Sequence, residues 1–123
     1  MEATQTSTLF NRIGGMPAVN AAVDIFYAKV MADDRVNHFF RHLDMQKQAG
    51  KLKAFMAFAF GAPLPYSGKS LRDAHQHMHL TELHFTAVAE HLVTTLQELN
   101  VGQSLIDEVV RVVMTTRDDV LNL

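Results

Sequence analysis

Four of the seven histidines in this 123-residue chain fall within one short segment, LRDAHQHMHLTELHF. They are His75, His77, His79 and His84. Neutral imidazole is the commonest metal ligand among protein side chains, so this segment is the first candidate for a metal centre. For any one histidine, a surface position is the simpler interpretation. The sharper interpretation is that one imidazole binds iron and the others take no part in metal binding.

Composition bounds the class of protein. With 123 residues, 48% of them hydrophobic, the chain is long enough for one globular domain over residues 1–123. A formal charge of −2 provides no basic surface for nucleic acid. The absence of cysteine excludes a disulfide framework, a cysteine zinc site and haem attached through Cys-x-x-Cys-His. It also fits a reducing compartment.

The chain gives no sign of a membrane partner. No apolar run reaches the roughly 20 residues that a membrane-spanning helix needs. The amino-terminal sequence MEATQTSTLF has no basic segment followed by an apolar run, and so lacks the pattern of a signal peptide. We therefore expect a cytoplasmic protein.

Hydrophobic spacing predicts helices in the first half of the chain. Leu9, Phe10 and Ile13 fit one short helix that ends at Gly14-Gly15, because glycine readily adopts positive φ. A second helix is expected from about Pro17 to Ala32, followed by a short turn over 36–40. Asp44 can cap a third helix from Met45 to about Phe60.

The second half is predicted to be helical as well. A loop over 61–68 precedes a brief helix near Leu71–Met78. A long apolar stripe then predicts a helix over about Thr81–Leu99. Ser104 and Asp107 resemble a capping box at the start of a last helix that ends near Leu121. No strand pattern appears, so we expect an all-α fold of about five main helices.

Three polar side chains lie on or beside predicted buried faces. Tyr27 falls within the apolar stripe of the second helix, while Gln48 and Lys51 border that of the third. The simplest interpretations are a phenol bonded to a backbone carbonyl and a lysine that reaches water from the rim. The chain also has eight phenylalanines and seven methionines. Together with one histidine that binds iron, these polar and apolar side chains also suit a pocket for b-type haem. Composition alone does not separate that pocket from an ordinary helical core.

The order of several motifs resembles the truncated haemoglobins of group I over nearly the whole chain from Leu9. The matching pieces are LFNRIGGMPAV, AVDIFYAKVMADDRVNHFF, DMQKQ followed by KAF, AFAFGAP, the AH of LRDAH, and HFTAVAEHL. The resemblance implies an all-α truncated globin with a two-over-two helical sandwich. It also implies a proximal segment that is mostly loop, which suits the short histidine segment.

The resemblance assigns the proximal side of a haem. RDAH matches the family's proximal segment, so His75 is the expected iron ligand. His84 begins the next helix in the family's HF pair and is expected to be structural, while His77 and His79 receive no role. A proximal imidazole commonly donates its other ring nitrogen's hydrogen to a carbonyl. The sequence does not show which carbonyl.

The resemblance also assigns the distal side. Tyr27 matches a distal tyrosine whose phenol donates to a ligand at the iron, and Gln48 matches a glutamine that bonds the tyrosine or the ligand. Phe39 and Phe40 match an aromatic pair that packs on the porphyrin. Further contacts with the haem are expected from Leu52, Phe55 and Phe58.

Three positions depart from relatives. Lys51 stands where some relatives have an iron-binding histidine. It could pair as an ammonium with a haem propionate, which we favour, reach the ligand as a donor, or bind iron as a neutral amine. Leu52 replaces a residue that is often polar, which implies a smaller distal network. Thr116 lies near a histidine that in some relatives bonds a haem vinyl, and threonine implies non-covalent haem.

Two functions follow from the resemblance, and they share one pocket. The first is conversion of NO to nitrate with bound O2, in which Tyr27, Gln48 and Lys51 act on the ligand and an external reductase restores the iron. The second is O2 storage, delivery or sensing without turnover. In either case O2, NO and CO are the expected ligands and the protein is expected to be a monomer. A remote alternative is a non-haem zinc or nickel site formed by His75 and His79 on one helical face.

Overall fold

The regular structure is helical wherever the structure describes the chain. The computed structural model describes residues 8–63, 66 and 68–123, and no strand occurs among them. Within these residues seven α-helices follow one another: α1 Leu9–Ile13, α2 Gly15–Met31, α3 Met45–Ala59, α4 Leu71–His75, α5 Glu82–Glu98, α6 Gln103–Thr115 and α7 Arg117–Leu121. A single turn of 3-10 helix, Asn37–Phe39, joins α2 to α3. The all-α prediction is confirmed.

Two pairs of helices form the layers of the fold. α2 packs on α3 in one layer and crosses to α5, which packs on α6 in the other. The most deeply buried large side chains of the core are branched. Val19, Val23 and Val30 of α2 are fully buried there. This arrangement is the predicted two-over-two sandwich, and it leaves the short α4 to pack on α7 instead.

Local signals fix several helix ends as predicted. Gly14, at φ 120°, ends α1, and a Cβ at this position would come within 3.0 Å of the Cβ of Ala18. Asp44 caps α3 by accepting hydrogen bonds from the backbone N–H groups of Gln46 and Lys47 at 3.0 and 3.3 Å. These contacts satisfy N–H groups that have no partner within the helix.

Three details of the predicted helices are wrong. α4 ends at His75 rather than near Met78. The capping box at Ser104 does not form, because Gly102 takes the cap position and Gln103 Nε2 donates to the Asp107 carboxylate at 2.8 Å. The last predicted helix is divided at Thr116, whose hydroxyl donates to the carbonyl of Val113 at 2.6 Å and tightens that turn.

The second helix and the predicted loop need smaller adjustments. α2 begins at Gly15, with Pro17 in its first turn rather than at its start. Of the predicted loop over 61–68, residues 64, 65 and 67 lie outside the described part of the chain. None of the described helices has the length and apolar character needed to cross a membrane.

Candidate functional site

A tyrosine and a glutamine meet between α2 and α3. The Tyr27 side chain is buried in α2, with 8% of the residue exposed. Gln48, in the first turn of α3, donates a hydrogen bond from Nε2 to the phenol oxygen at 3.2 Å. The phenol is therefore an acceptor in this contact, and its own hydrogen stays available as a donor.

Burial governs the electrostatics of this tyrosine. Removal from water raises the pKa of Tyr27, because it disfavours the phenolate, and the hydrogen bond from Gln48 partly opposes the rise. The phenol thus stays protonated at neutral pH. Protonation is what a hydrogen-bond donor requires.

The neighbouring rings of Phe39 and Phe40 contact different partners. The Phe40 ring meets the edge of Tyr27, with ring centroids 5.6 Å apart. The Phe39 ring turns instead to His84, with centroids 4.9 Å apart and nearly perpendicular planes. Phe40 is therefore the member of the pair that borders the tyrosine–glutamine pair.

The remaining predicted distal residues also lie on α3. Gln48, Leu52 and Phe55 share one side of this helix and are partly buried. Lys51 lies beside them and is exposed. Phe58 is 49% exposed and stacks on Tyr66, with centroids 5.5 Å apart, so it lies at the rim of this face.

His75 is oriented by a backbone contact within its own short helix. Its Nδ1 lies 2.7 Å from the carbonyl oxygen of Leu71, one turn earlier. Because a carbonyl only accepts, Nδ1 carries the hydrogen and the lone pair is on Nε2. Nε2 is then free to bind a metal, in the arrangement typical of ligating histidines.

The other histidines have separate surroundings. His77 and His79 are exposed, and His79 adopts left-handed backbone geometry at φ 52°. His84 Nδ1 accepts a hydrogen bond from the backbone N–H of Thr81 at 3.0 Å, at the start of α5. That contact gives His84 a role in the helix terminus.

The non-haem metal hypothesis is not supported by this geometry. α4 ends at His75, so His75 and His79 do not share a helical face. No group of three or more histidine, cysteine or acidic side chains in the described residues could hold a metal ion. A single imidazole with a free Nε2 instead suits iron whose other ligands come from a porphyrin.

Sequence reasoning missed an ionic cluster beyond the tyrosine. His91 Nε2 lies 2.6 Å from Oδ2 of Asp33, and the two residues are 58 positions apart. Arg35 also binds Asp33, through its backbone N–H at 2.9 Å and its guanidinium at 2.8 Å. The cluster joins the end of α2 to the middle of α5. The sequence carries no local signal for a contact of this range.

Two apolar cavities lie away from the predicted site residues Tyr27, Gln48 and His75. One, of about 510 Å³, is a groove between α5 and α6. The other, of about 280 Å³, lies beside Ile13, Met56 and Leu96. Neither is lined by Tyr27, Gln48 or His75.

Comparison with known proteins identifies the family. The model of the bacterial-like globins matches residues 8–122. The chain is 43% identical to a group 1 truncated hemoglobin of Tetrahymena thermophila, over 93% of this chain and 94% of that protein. It is 45% identical to one of Synechocystis, over 94% of this chain and 98% of that protein.

A solved structure agrees in fold. The crystal structure of the 2/2 hemoglobin of Synechococcus sp. PCC 7002, in the cyanomet state and with covalently attached heme, superposes with a TM-score of 0.90 at 51% identity. The match covers 95% of this chain and 100% of that chain. The chain therefore belongs to the bacterial-like globin family, as a truncated haemoglobin of group 1.

Proposed function

We propose that this protein binds a b-type haem through His75 and uses it to convert NO to nitrate with O2. Membership of the globin family itself implies haem and diatomic ligands bound there. The observation that carries the assignment of residues is the His75–Leu71 contact at 2.7 Å, which leaves Nε2 as a free ligand. The residues present fit the group, since they offer one imidazole, aromatic side chains and a protonated phenol.

When bound, haem supplies an iron centre that takes a diatomic ligand and exchanges single electrons. The chain's own residues set the surroundings. The Leu71 carbonyl keeps the hydrogen of His75 on Nδ1 and holds the ring in one orientation. Tyr27 provides a buried donor, and Gln48 fixes its phenol by donating to the oxygen. A fixed donor in a dry site stabilises negative charge on a ligand more than a mobile one in water does.

A strong distal donor favours NO dioxygenation over delivery of O2. Slow release of O2 suits a protein that must hold it until NO arrives, whereas delivery needs ready release. In the overall reaction NO, O2 and one electron give nitrate. The chain must receive that electron from outside, so the proposal includes an external reductase as partner.

A single-turnover experiment separates the two functions. The oxygenated protein is mixed with an equal amount of NO, and nitrate and the absorption spectrum are followed on a millisecond scale. We expect stoichiometric nitrate together with a ferric spectrum. Displacement of O2 by NO without nitrate would contradict dioxygenation and favour storage, delivery or sensing.

Thr116 supports haem that is held without a covalent bond. Its hydroxyl donates to the carbonyl of Val113 at 2.6 Å, and threonine offers no ring nitrogen to a vinyl group. The Synechococcus protein, by contrast, was crystallised with covalently attached heme. Extraction into acidified butanone should remove all haem from the present protein. Haem that stays with the polypeptide would overturn this part of the proposal.

We further propose a single domain that works as a cytoplasmic monomer. The absence of cysteine accords with a reducing compartment. Light scattering of the haem-loaded protein at several concentrations tests the oligomeric state. A mass near 13.8 kDa is expected, and a constant dimeric mass would contradict the monomer.

A further inference from the structure

We propose that Arg72 is a positioning residue for the proximal histidine. Its hydrogen bonds hold α4 against α7 and thereby set the orientation of His75. This inference rests on the proposed role of His75 as the haem ligand. It gives α7 a role, the placement of α4, that the proposed function does not include.

α4 cannot hold its position by itself. It has five residues and none of them is buried. A helix of one to two turns is unstable in isolation, since few hydrogen bonds offset the cost of ordering it. Its placement therefore depends on what it contacts, and its main neighbour is α7.

Arg72 makes the polar link between these two helices. Its Nε donates to Oδ1 of Asp119 at 3.2 Å, and its Nη2 donates to the main-chain oxygen of Leu123 at 2.9 Å. The planar guanidinium has several donors in a fixed fork, so two contacts at once define the direction of the side chain. Arg72 is the immediate neighbour of Leu71, whose carbonyl orients His75.

α7 is also fastened at the far end of the histidine segment. Arg117 donates to both carboxylate oxygens of Glu82, with three contacts of 2.7 to 3.0 Å. Glu82 is the first residue of α5 and follows His75, His77 and His79 in the chain. The segment from Arg72 to Glu82 is thus attached to α7 at both ends, with His75 between the two attachments.

These contacts position the helix more than they stabilise the protein. The side chains of Arg72 and Asp119 are 44% and 53% exposed. Exposed ion pairs add little to the free energy of unfolding. The consequence to look for is therefore a change at His75 and the haem rather than global unfolding.

The test compares Arg72→Ala with Arg12→Ala in the haem-loaded protein. Arg12 is a matched control, because it is 42% exposed and donates to both oxygens of Glu108 at 2.7 and 2.8 Å, between α1 and α6. The readouts are the iron–imidazole stretching band of the ferrous protein in resonance Raman spectra and the rate of haem transfer to apomyoglobin. We expect Arg72→Ala to shift and broaden the band and to speed haem transfer about fivefold. Arg12→Ala should leave both unchanged.

Two further variants separate positioning from mere loss of charge. Arg72→Lys keeps a cation for Asp119 but loses the fork that also reaches Leu123, so an intermediate band is expected. The exchange of Arg72→Asp with Asp119→Arg should restore part of the original band. If Arg72→Ala does not fold, Asp119→Asn removes the same ion pair from the other side and should shift the band in the same direction.

The contradicting outcomes are distinct. If Arg72→Ala and Asp119→Asn leave the band and the haem transfer rate unchanged, while His75→Gly abolishes the band, the positioning role is wrong and the proposed haem ligand stands. If His75→Gly also leaves the band unchanged, the proposed ligand itself is wrong.

Discussion

The side-chain amide of Gln48 donates a hydrogen bond to the phenol oxygen of Tyr27 across 3.2 Å, from the first turn of α3 to the buried face of α2. This direction matters, because a phenol that accepts from the amide keeps its own hydrogen for a ligand. The edge of Tyr27 also meets Phe40 at 5.6 Å, which restricts the ring. The helical sandwich thus holds the phenol of Tyr27 between Gln48 and Phe40, as its proposed role as a donor to the ligand requires.

Replacement of Tyr27 by phenylalanine should speed the dissociation of O2. The ring stays, but the donor is lost. A hydrogen bond to a charged acceptor contributes roughly 1.5–3 kcal/mol, so we expect an increase of about 10- to 100-fold. Stopped-flow replacement of O2 by CO measures the rate. Tyr66→Phe is the matched control, since that phenol donates to the backbone carbonyl of Lys69 instead. Equal rates in Tyr27→Phe and the parent protein would show that another group is the donor.

Lys51→Ala should leave the spin state of the ferric protein unchanged and weaken haem retention. Lys51 is exposed on α3, and we propose that its ammonium pairs with a haem propionate while it keeps its contact with water. The measurement is the ferric absorption spectrum together with the rate of haem transfer to apomyoglobin. Lys53→Ala is the control, because it also removes one positive charge from α3. The Lys53 ammonium pairs with Asp24 of α2 at 3.1 Å. A change from low-spin to high-spin iron in Lys51→Ala alone would mean that lysine binds the iron.

Tyr27 should make the protein sensitive to alkali. Burial raises the pKa of Tyr27 in the folded state above its unfolded value. The stability that this group contributes is therefore fully present below about pH 10 and is lost as the pH rises through the folded pKa. Urea unfolding from about pH 9 to about pH 11 should show a steep decline in the free energy of unfolding. Tyr27→Phe should decline less, and an equally steep decline would contradict this assignment.

Asp33 should give the opposite dependence in acid. The Arg35 guanidinium, then its backbone N–H, and then His91 hold the pKa of the Asp33 carboxyl well below its usual range. Its contribution to stability is present above the unfolded pKa of about 3.9 and is lost as the pH falls towards the folded one. Thermal unfolding across that interval should depend on pH less in Asp33→Asn than in the parent protein. Asp34→Asn controls for the loss of one charge, and identical pH dependence in parent and Asp33→Asn would refute the claim.

Local signals explain which parts of the fold were predictable. Apolar periodicity gave the helices, and the Asp44 cap was predictable because a side chain bonds backbone groups two and three residues away. The break at Thr116 was not, because it depends on a hydroxyl that bonds the carbonyl of Val113 in the middle of a continuing apolar stripe. Periodicity reports which face is buried and is silent on such a turn.

The site was predictable only in part, for a similar reason. Side-chain identities suggested His75, Tyr27 and Gln48 through the family resemblance. The group that orients His75 is the main-chain carbonyl of Leu71, and a carbonyl is present at every residue. The Asp33–His91 contact joins residues 58 positions apart and needs the packing of α2 on α5. Contacts of both kinds appear only in three dimensions.

The most direct test is titration of the haem-free protein with hemin, for the parent chain and for His75→Ala, followed in the Soret band. We predict stoichiometric binding by the parent and loss of tight binding in His75→Ala. His77→Ala and His79→Ala remove exposed imidazoles from the same segment and should titrate like the parent. Stoichiometric binding by His75→Ala, with the iron–imidazole band retained after reduction, would contradict the assignment of His75 as the haem ligand.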